Sequence, residues 1–212
     1  MRILSMGGGI GECLPILTKE VFNFVDTDSS DVYTLLSPKS NFDKVVIEIS
    51  VFAGDGRSAV RSFFVENDNE DGIDYKVYVM NDDGEEIIAV GLLEYNGNSY
   101  LRHTVFGGYN NGTLQITVID IDADVTKSKI VQSTASTTSH TIDVVDMDKT
   151  FLSLAVVGRY TTPSNLFPVS EGVDLSFMSG TNGCRAVVNS ETELSFTTVD
   201  TRDYRCYIRQ FS

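Results

Sequence analysis

Residues 74–106 read DYKVYVMNDDGEEIIAVGLLEYNGNSYLRHTVF, which is three runs rich in Val, Ile, Leu and Tyr separated by two short polar turns. In the first run, Tyr75–Met80, polar and apolar side chains alternate, which is the pattern of a half-buried strand. The turns Asp82-Asp83-Gly84 and Asn96-Gly97 contain residues that tolerate the positive φ angles of tight hairpins. The segment therefore predicts a three-stranded antiparallel meander, with the middle run paired to both of its neighbours.

The same pattern continues outward in both directions, with short apolar runs about every 10 residues and turn residues between them. This spacing is typical of antiparallel sandwiches and barrels, so we expect an all-β protein. Residues 18–24 fit either a short helix or an entry strand. The clearest predicted strands are residues 44–52, 58–65, 74–80, 86–94, 99–106, 113–121, 141–145, 150–157, 185–188, 193–199 and 204–211.

A chain of 212 residues is long enough for one large β domain or for two of about 100 residues each. A polar stretch at residues 122–129 favours two. We therefore expect a flexible N-terminal arm, residues 1–14, followed by two antiparallel, jelly-roll-like β-sandwich domains at residues 15–124 and 128–212. The polar residues 160–181, which include two prolines, are expected to form an extended loop of the second domain.

The chain is strongly acidic, with 16 basic and 30 acidic side chains and a net charge of -14. A nucleic-acid partner is not expected, because neutralising phosphates requires clustered Lys and Arg. The closest basic group, Arg202, Arg205 and Arg209, is interpreted as the solvated side of an edge strand. The sequence contains no run of 18 apolar residues, so no membrane span is expected.

The three cysteines, Cys13, Cys184 and Cys206, form no C-x-x-C pair and no even set for disulfides. The first residues also lack the long apolar run of a signal peptide, so secretion by that route is not expected. We therefore expect reduced thiols in a protein that is made in a cytoplasm.

The motifs that could carry chemistry are each incomplete. Residues 7–12, GGGIGE, have a glutamate where a dinucleotide-binding turn needs its last glycine, and a flexible arm explains them better. The acidic run at residues 67–72 fits the start of an EF-hand loop, but its last ligand position is Tyr78, which leaves a weak Ca²⁺ site or a solvated hairpin loop. His103 and His140 lack partners at catalytic or metal-binding spacing, and His103 is expected to be a hydrogen-bonded structural residue. We therefore assign no catalytic residue, no metal ligand and no cofactor, and we do not expect an enzyme.

Aromatic side chains close to Asn- and Gly-rich turns are the remaining functional lead. A tyrosine ring gives a large contact area at low entropy cost, and its hydroxyl finds polar partners, which suits sugar stacking or protein docking. The alternative is that most of these rings are core residues of a sandwich that lacks Trp, and Phe177 fits the core best. The candidate surface-contact residues are Tyr95, Tyr100, Tyr109, Tyr160 and Phe167.

Residues 130–212 carry an ordered set of motifs. Asp146-Met147-Asp148-Lys149-Thr150-Phe151 leads into an apolar run, Thr192-Glu193-Leu194-Ser195-Phe196 follows as a hairpin strand, and Tyr204–Phe211 is a final strand that ends on an aromatic residue. This order resembles a short β module of tailed-bacteriophage virion proteins, which is found in tail fibres, receptor-binding appendages and head decorations.

The resemblance implies a structural component of a virion, synthesised in the cytoplasm of a bacterial host. As a tail-fibre or receptor-binding appendage, it would assemble as a homo-oligomer such as a trimer and contact neighbouring virion proteins or a host surface glycan. The first domain and the arm would attach to the particle, and the second domain would present its loops outward. The alternatives are a capsid decoration protein, a carbohydrate-binding module without a particle, and a hydrolase of surface polysaccharide.

Overall fold

The structure is a computed structural model. It describes residues 16–25, 30–36, 42–52, 58–65, 75–81, 84–106, 112–133, 137–142, 146–157, 161–179, 182–198 and 203–212. Within these residues the regular structure consists of strands and two 3₁₀ turns, without an α-helix, so the prediction of an all-β protein is confirmed. Nowhere in these ranges is there a helix that is long and apolar enough to cross a membrane. The predicted arm, residues 1–14, and the acidic loop, residues 67–72, lie outside the described residues.

The strands, in chain order, are β1 (Ile16–Val25), β2 (Val32–Leu35), β3 (Val45–Phe52), β4 (Ser58–Phe64), β5 (Tyr75–Asn81), β6 (Gly84–Tyr95), β7 (Asn98–Phe106), β8 (Thr113–Ile121), β9 (Val125–Ser133), β10 (Thr137–Thr141), β11 (Thr150–Val157), β12 (Thr161–Pro163), β13 (Phe167–Pro168), β14 (Asp174–Ser179), β15 (Asn182–Ser190), β16 (Glu193–Thr198) and β17 (Asp203–Phe211). The 3₁₀ turns are Phe42–Lys44, before β3, and Met147–Lys149, before β11.

The chain packs into two compact units. The N-terminal unit is Leu17–Asp120 together with Tyr160–Pro163, and the C-terminal unit includes Ile121–Arg159 and Ser164–Ser212. The chain therefore returns once to the N-terminal unit, where β12 pairs in parallel with β5. The domain limits expected from the sequence stay a prediction, because compact packing alone does not show that either unit folds by itself.

The N-terminal unit contains a sheet of order β1-β8-β3-β4 and a second set of paired strands of order β2-β7-β6-β5-β12. Because β1 pairs with β8 and β2 with β7, strands that are distant in sequence hold the unit together. Apolar residues from both sets of strands share one core, which includes Ile47, Ile49, Val90, Leu101 and Ile116.

The meander at residues 74–106 forms as the sequence predicts. Strand β6 pairs with β5 on one side and with β7 on the other, so both predicted hairpins are confirmed. Asn96 and Gly97 connect β6 to β7 with φ angles of 49° and 75°. Two consecutive positive φ angles are what a two-residue type I′ hairpin turn requires, and Asn-Gly is the sequence that adopts them most easily.

The C-terminal unit also has two sets of strands. One sheet has the order β10-β16-β15-β14, and the other set is β11-β17-β9, with β13 also paired to β11. Their inward-facing residues form a second core, which includes Leu152, Leu154, Phe196, Tyr204 and Cys206. The Tyr204 hydroxyl is satisfied inside this core, because it accepts a hydrogen bond from the Gly183 backbone N–H at 3.3 Å.

Two stretches that were expected to be irregular contain strands. The polar residues 122–129 include the start of β9, and the prediction missed it because lysines occupy positions on the inner side of that strand. The expected loop at residues 160–181 contains β12, β13 and β14. Strands of two or three residues show no period in sequence and exist only where a partner strand supplies hydrogen bonds. Residues 18–24, where a helix was one option, lie in β1.

Strand β17 is central in its sheet, because it pairs with β11 on one side and with β9 on the other. Cys206 and Ile208 point into the core of the C-terminal unit. On the opposite face, Tyr207 is 1% exposed and Arg209 is 3% exposed. The interpretation of Arg205 and Arg209 as a solvated edge is therefore wrong, since the sequence of one strand does not reveal how many strands flank it.

Candidate contact surface

Large side chains lie together on one side of the three adjacent strands β2, β7 and β6. In the register of these strands, Leu35 is opposite Tyr100, and Tyr100 is opposite Leu93. In the next row, Tyr33 is opposite Arg102. Directly opposite residues of antiparallel strands have Cβ atoms about 5 Å apart, so these side chains form a continuous surface. We call it the tyrosine face, and it consists of Tyr33, Leu35, Leu93, Tyr95, Tyr100 and Arg102.

Three large side chains of the tyrosine face are more than half exposed. Tyr33 is 54% exposed, Leu35 is 55% exposed and Tyr95 is 64% exposed. Leu93 and Tyr100 are half-buried between them. Scattered exposed apolar residues are normal, whereas neighbouring ones on adjacent strands can form an interaction surface.

The backbone beneath the tyrosine face is held rigidly by the core of the N-terminal unit. Alternate residues of β6 and β7 point inward, and among them Leu92 is 2% exposed and Leu101 is fully buried. At the end of β2, the Leu36 N–H donates a hydrogen bond to the Ser99 carbonyl at 2.9 Å. The exposed rings therefore stand on a fixed platform, which lowers the entropy cost of binding through them.

Polar groups at one end of the tyrosine face complement its apolar area. The Tyr33 hydroxyl donates to Asp31 Oδ2 at 3.5 Å, and Thr104 Oγ1 donates to the other oxygen of the same carboxylate. Arg102, next to Tyr33 in the register, adds a guanidinium. A surface that combines aromatic rings, phenol hydroxyls and charged groups can orient a ligand as well as bind it.

The predicted contact residues are only partly brought together. Tyr95 and Tyr100 both lie on the tyrosine face. Phe167 lies in β13 of the C-terminal unit and is half-buried. Tyr109 and Tyr160 lie outside the described residues.

Among the four members of the tyrosine face that sequence reasoning missed, Tyr33 and Leu35 lie on β2. The signal that could have found them is the alternation in Val32-Tyr33-Thr34-Leu35, which is too short to stand out from its surroundings. Phe177, expected in the core, is half-buried and packs against the core of the C-terminal unit.

His103 is 1% exposed, and neither of its ring nitrogens has a hydrogen-bond partner in the described part of the chain. The expectation of a hydrogen-bonded histidine is therefore wrong. Burial lowers the pKa of His103, since the charged imidazolium loses its hydration there. His140 lies on β10, where its Nε2 is 2.7 Å from Thr138 Oγ1.

Cys184 and Cys206 are free, buried thiols. Burial raises the pKa of Cys184 to about 12 and also raises the pKa of Cys206. Such thiols stay protonated and are poor nucleophiles. Over the described ranges, three or more His, Cys, Asp or Glu side chains are nowhere grouped as a metal site would require.

Comparison with protein-family models, with curated proteins and with solved structures finds no match to this chain.

Proposed function

We propose that this protein is a structural component of a tailed-bacteriophage virion, a tail-fibre or receptor-binding appendage that assembles as an oligomer and makes contact through the tyrosine face. The observation that carries the proposal is the exposure of Tyr33, Leu35 and Tyr95 on one rigid sheet surface. The motif order at residues 130–212, which resembles the short β module of phage virion proteins, supports the particle as the setting.

The arrangement suits adhesion because the exposed groups are large, rigid and shared between adjacent strands. Tyrosine has few rotatable bonds, so it loses little entropy on binding, and tyrosine and arginine dominate the energetics of many interfaces. A neighbouring copy, another virion protein or a host surface glycan would each find apolar area and hydroxyl groups here. The proposal includes two jelly-roll-like β-sandwich domains, which is supported by the shared core between the strand sets of each unit.

The test of the tyrosine face is the double variant Tyr33→Ser/Tyr95→Ser, compared with Val60→Ser. Val60 is 48% exposed on β4, outside the tyrosine face, so it controls for the loss of exposed apolar area. We expect the wild-type protein to sediment as an oligomer or to bind a glycan on an array, and we expect the double variant alone to lose that property. An unchanged double variant would remove the tyrosine face from the proposal.

The setting is tested on phage particles with an antibody against this chain, by electron microscopy. Labelling of the tail supports an appendage, whereas labelling of the head supports a capsid decoration protein. A protein that stays monomeric and is missing from particles contradicts the proposal. If that monomer still binds a glycan through the tyrosine face, the second candidate function, a carbohydrate-binding module without a particle, is the correct one.

A further inference from the structure

The C-terminal unit contains an open cleft of about 470 Å³, which lies between the edge strand β9 and the residue after β10. This volume is in the range of small-molecule sites, about 300–1,000 Å³. Its lining includes Thr126, Lys127, Lys129, Ile142, Ile208 and Gln210. All of these residues belong to the C-terminal unit, so the cleft is separate from the tyrosine face and does not depend on the function proposed for it.

The register of β9 explains why two lysines line the cleft. Lys129 is opposite Ile208, and Lys127 is opposite Gln210. Residues two apart on a strand share a face, and the next residue of this series, Val131, is buried in the core. Both lysines are therefore on the inner side of β9, where they are half-buried, while Ser128 between them is exposed.

The ammonium group of Lys129 is held in place beside the cleft by a backbone carbonyl. Lys129 Nζ donates a hydrogen bond to the Thr141 carbonyl, which ties β9 to the end of β10. Among the described residues, no carboxylate forms an ion pair with it. An ammonium group that is fixed beside a cleft can bind an anion.

The net charge of the chain and the effect of Lys129 on His140 agree with binding of an anion in the cleft. The chain carries a net charge of -14, so a cationic cleft differs from the rest of the surface. Burial lowers the pKa of His140, and the positive charge of Lys129 lowers it further. Lys127 and Lys129 therefore place positive charge beside this cleft of an acidic protein.

Neutral groups give the cleft a fixed shape. Gln210 Nε2 donates to Thr126 Oγ1 at 3.1 Å, and Gln210 Oε1 accepts from the Asp146 N–H at 3.3 Å. Ile142 and Ile208 supply an apolar wall beside these polar groups. A ligand that fits both parts has an anionic group attached to a compact carbon skeleton.

We propose that this cleft binds a carboxylate carried on a monosaccharide-sized skeleton, with Lys129 and Lys127 at the carboxylate and the two isoleucines against the skeleton. Inward lysines also occur on edge strands as a protection against strand addition. If the two lysines only protect the edge strand, the cleft binds no ligand. A binding experiment therefore separates the two explanations.

The test is an NMR titration of the full chain with three probes. Glucuronate has both the carboxylate and the skeleton, glucose has only the skeleton, and acetate has only the carboxylate. We expect glucuronate to shift resonances of β9 and to bind more tightly than either of the others. No response to glucuronate, or an equal affinity for glucose, overturns the proposal, and an equal affinity for acetate overturns the part that concerns the skeleton.

The matched variants are Lys129→Met and Lys19→Met, which remove the same charge. Lys19 is exposed on β1 of the N-terminal unit. We expect Lys129→Met to weaken glucuronate binding about tenfold, the usual size of one charge-assisted hydrogen bond, and Lys19→Met to leave it unchanged. Lys127→Gln is the second variant, for use if Lys129→Met fails to fold. We expect it to weaken glucuronate binding as well. Unchanged affinity in the folded variants overturns the role of the lysines.

Discussion

Phe24 packs against His103 in the N-terminal unit, with ring centroids 3.9 Å apart and ring planes inclined by 41°. Phe24 is partly buried against the core, and His103 is 1% exposed. The imidazole is therefore held as a neutral ring among apolar groups, without a hydrogen-bond partner in the described residues. Because burial lowers the pKa of His103, we expect the stability of the N-terminal unit to depend on pH.

The first prediction concerns this pH dependence. Burial lowers the pKa of folded His103 below the unfolded value of 6.5. Above pH 6.5 both states are neutral, and as the pH falls the unfolded chain binds a proton that the folded chain does not. The free energy of unfolding therefore decreases as pH falls from about 6.5 to the lowered pKa, by at most about 1.4 kcal/mol per pH unit.

The control is His103→Leu, which has a similar volume and no titratable group. Urea unfolding between pH 8 and pH 5 should show a weaker loss of stability in the variant than in the wild type. At pH 8 we expect the two to differ by no more than about 1 kcal/mol, because a lost ring contact is offset by removal of two unsatisfied nitrogens. If the free energy of unfolding falls equally steeply with pH in both proteins, His103 is not the group responsible.

The second prediction concerns the turn between β6 and β7. Gly97 has a φ of 75°, and a Cβ added there would meet no atom within 4 Å. Gly97→Ala should therefore destabilise the protein by about 1 kcal/mol through backbone strain alone. Gly97→Asn should cost less, because asparagine adopts positive φ more easily. Urea denaturation measures the free energy of unfolding of both variants. If both lose the same amount, backbone strain is not the cause.

The third prediction concerns the buried thiols. With Cys13 replaced by serine, Cys184 and Cys206 should not react with iodoacetamide at pH 8 until the chain unfolds, because burial raises the pKa of both groups. Cys206→Ser should lower the free energy of unfolding by about 2 kcal/mol, since a hydroxyl replaces a fully buried thiol. Fast labelling of the native protein, measured by mass spectrometry, would be inconsistent with this core.

The fourth prediction concerns the division of the chain. The core of the C-terminal unit draws on residues from Val131 to Ile208. A fragment of residues 121–212 should therefore fold cooperatively, with dispersed NMR resonances. The shorter fragment 137–212 lacks β9, which leaves β17 with one partner strand and removes Val131, so it should remain unfolded. If the 121–212 fragment does not fold, the chain has one folding unit in place of two.

The tyrosine face was only partly accessible to sequence reasoning. Tyr95 and Tyr100 could be selected because they flank an Asn-Gly turn, which is a local signal. Tyr33 and Leu35 could not, because β2 has four residues and its position beside β7 is a long-range pairing. The two inward lysines of β9 were likewise hidden, since lysine normally indicates an exposed position.

The sequence by itself determined the all-β character, most of the strands and the β5-β6-β7 meander, because alternation and turn residues act over a few neighbouring positions. Only the tertiary structure decided that β17 is flanked on both sides, that Arg209 is buried and that Tyr33 joins Tyr100 on one surface. The physical reason is that strand neighbours are chosen by hydrogen bonds and core packing between segments far apart in the chain. A strand's own residues specify its two faces, but they do not specify what lies beside it.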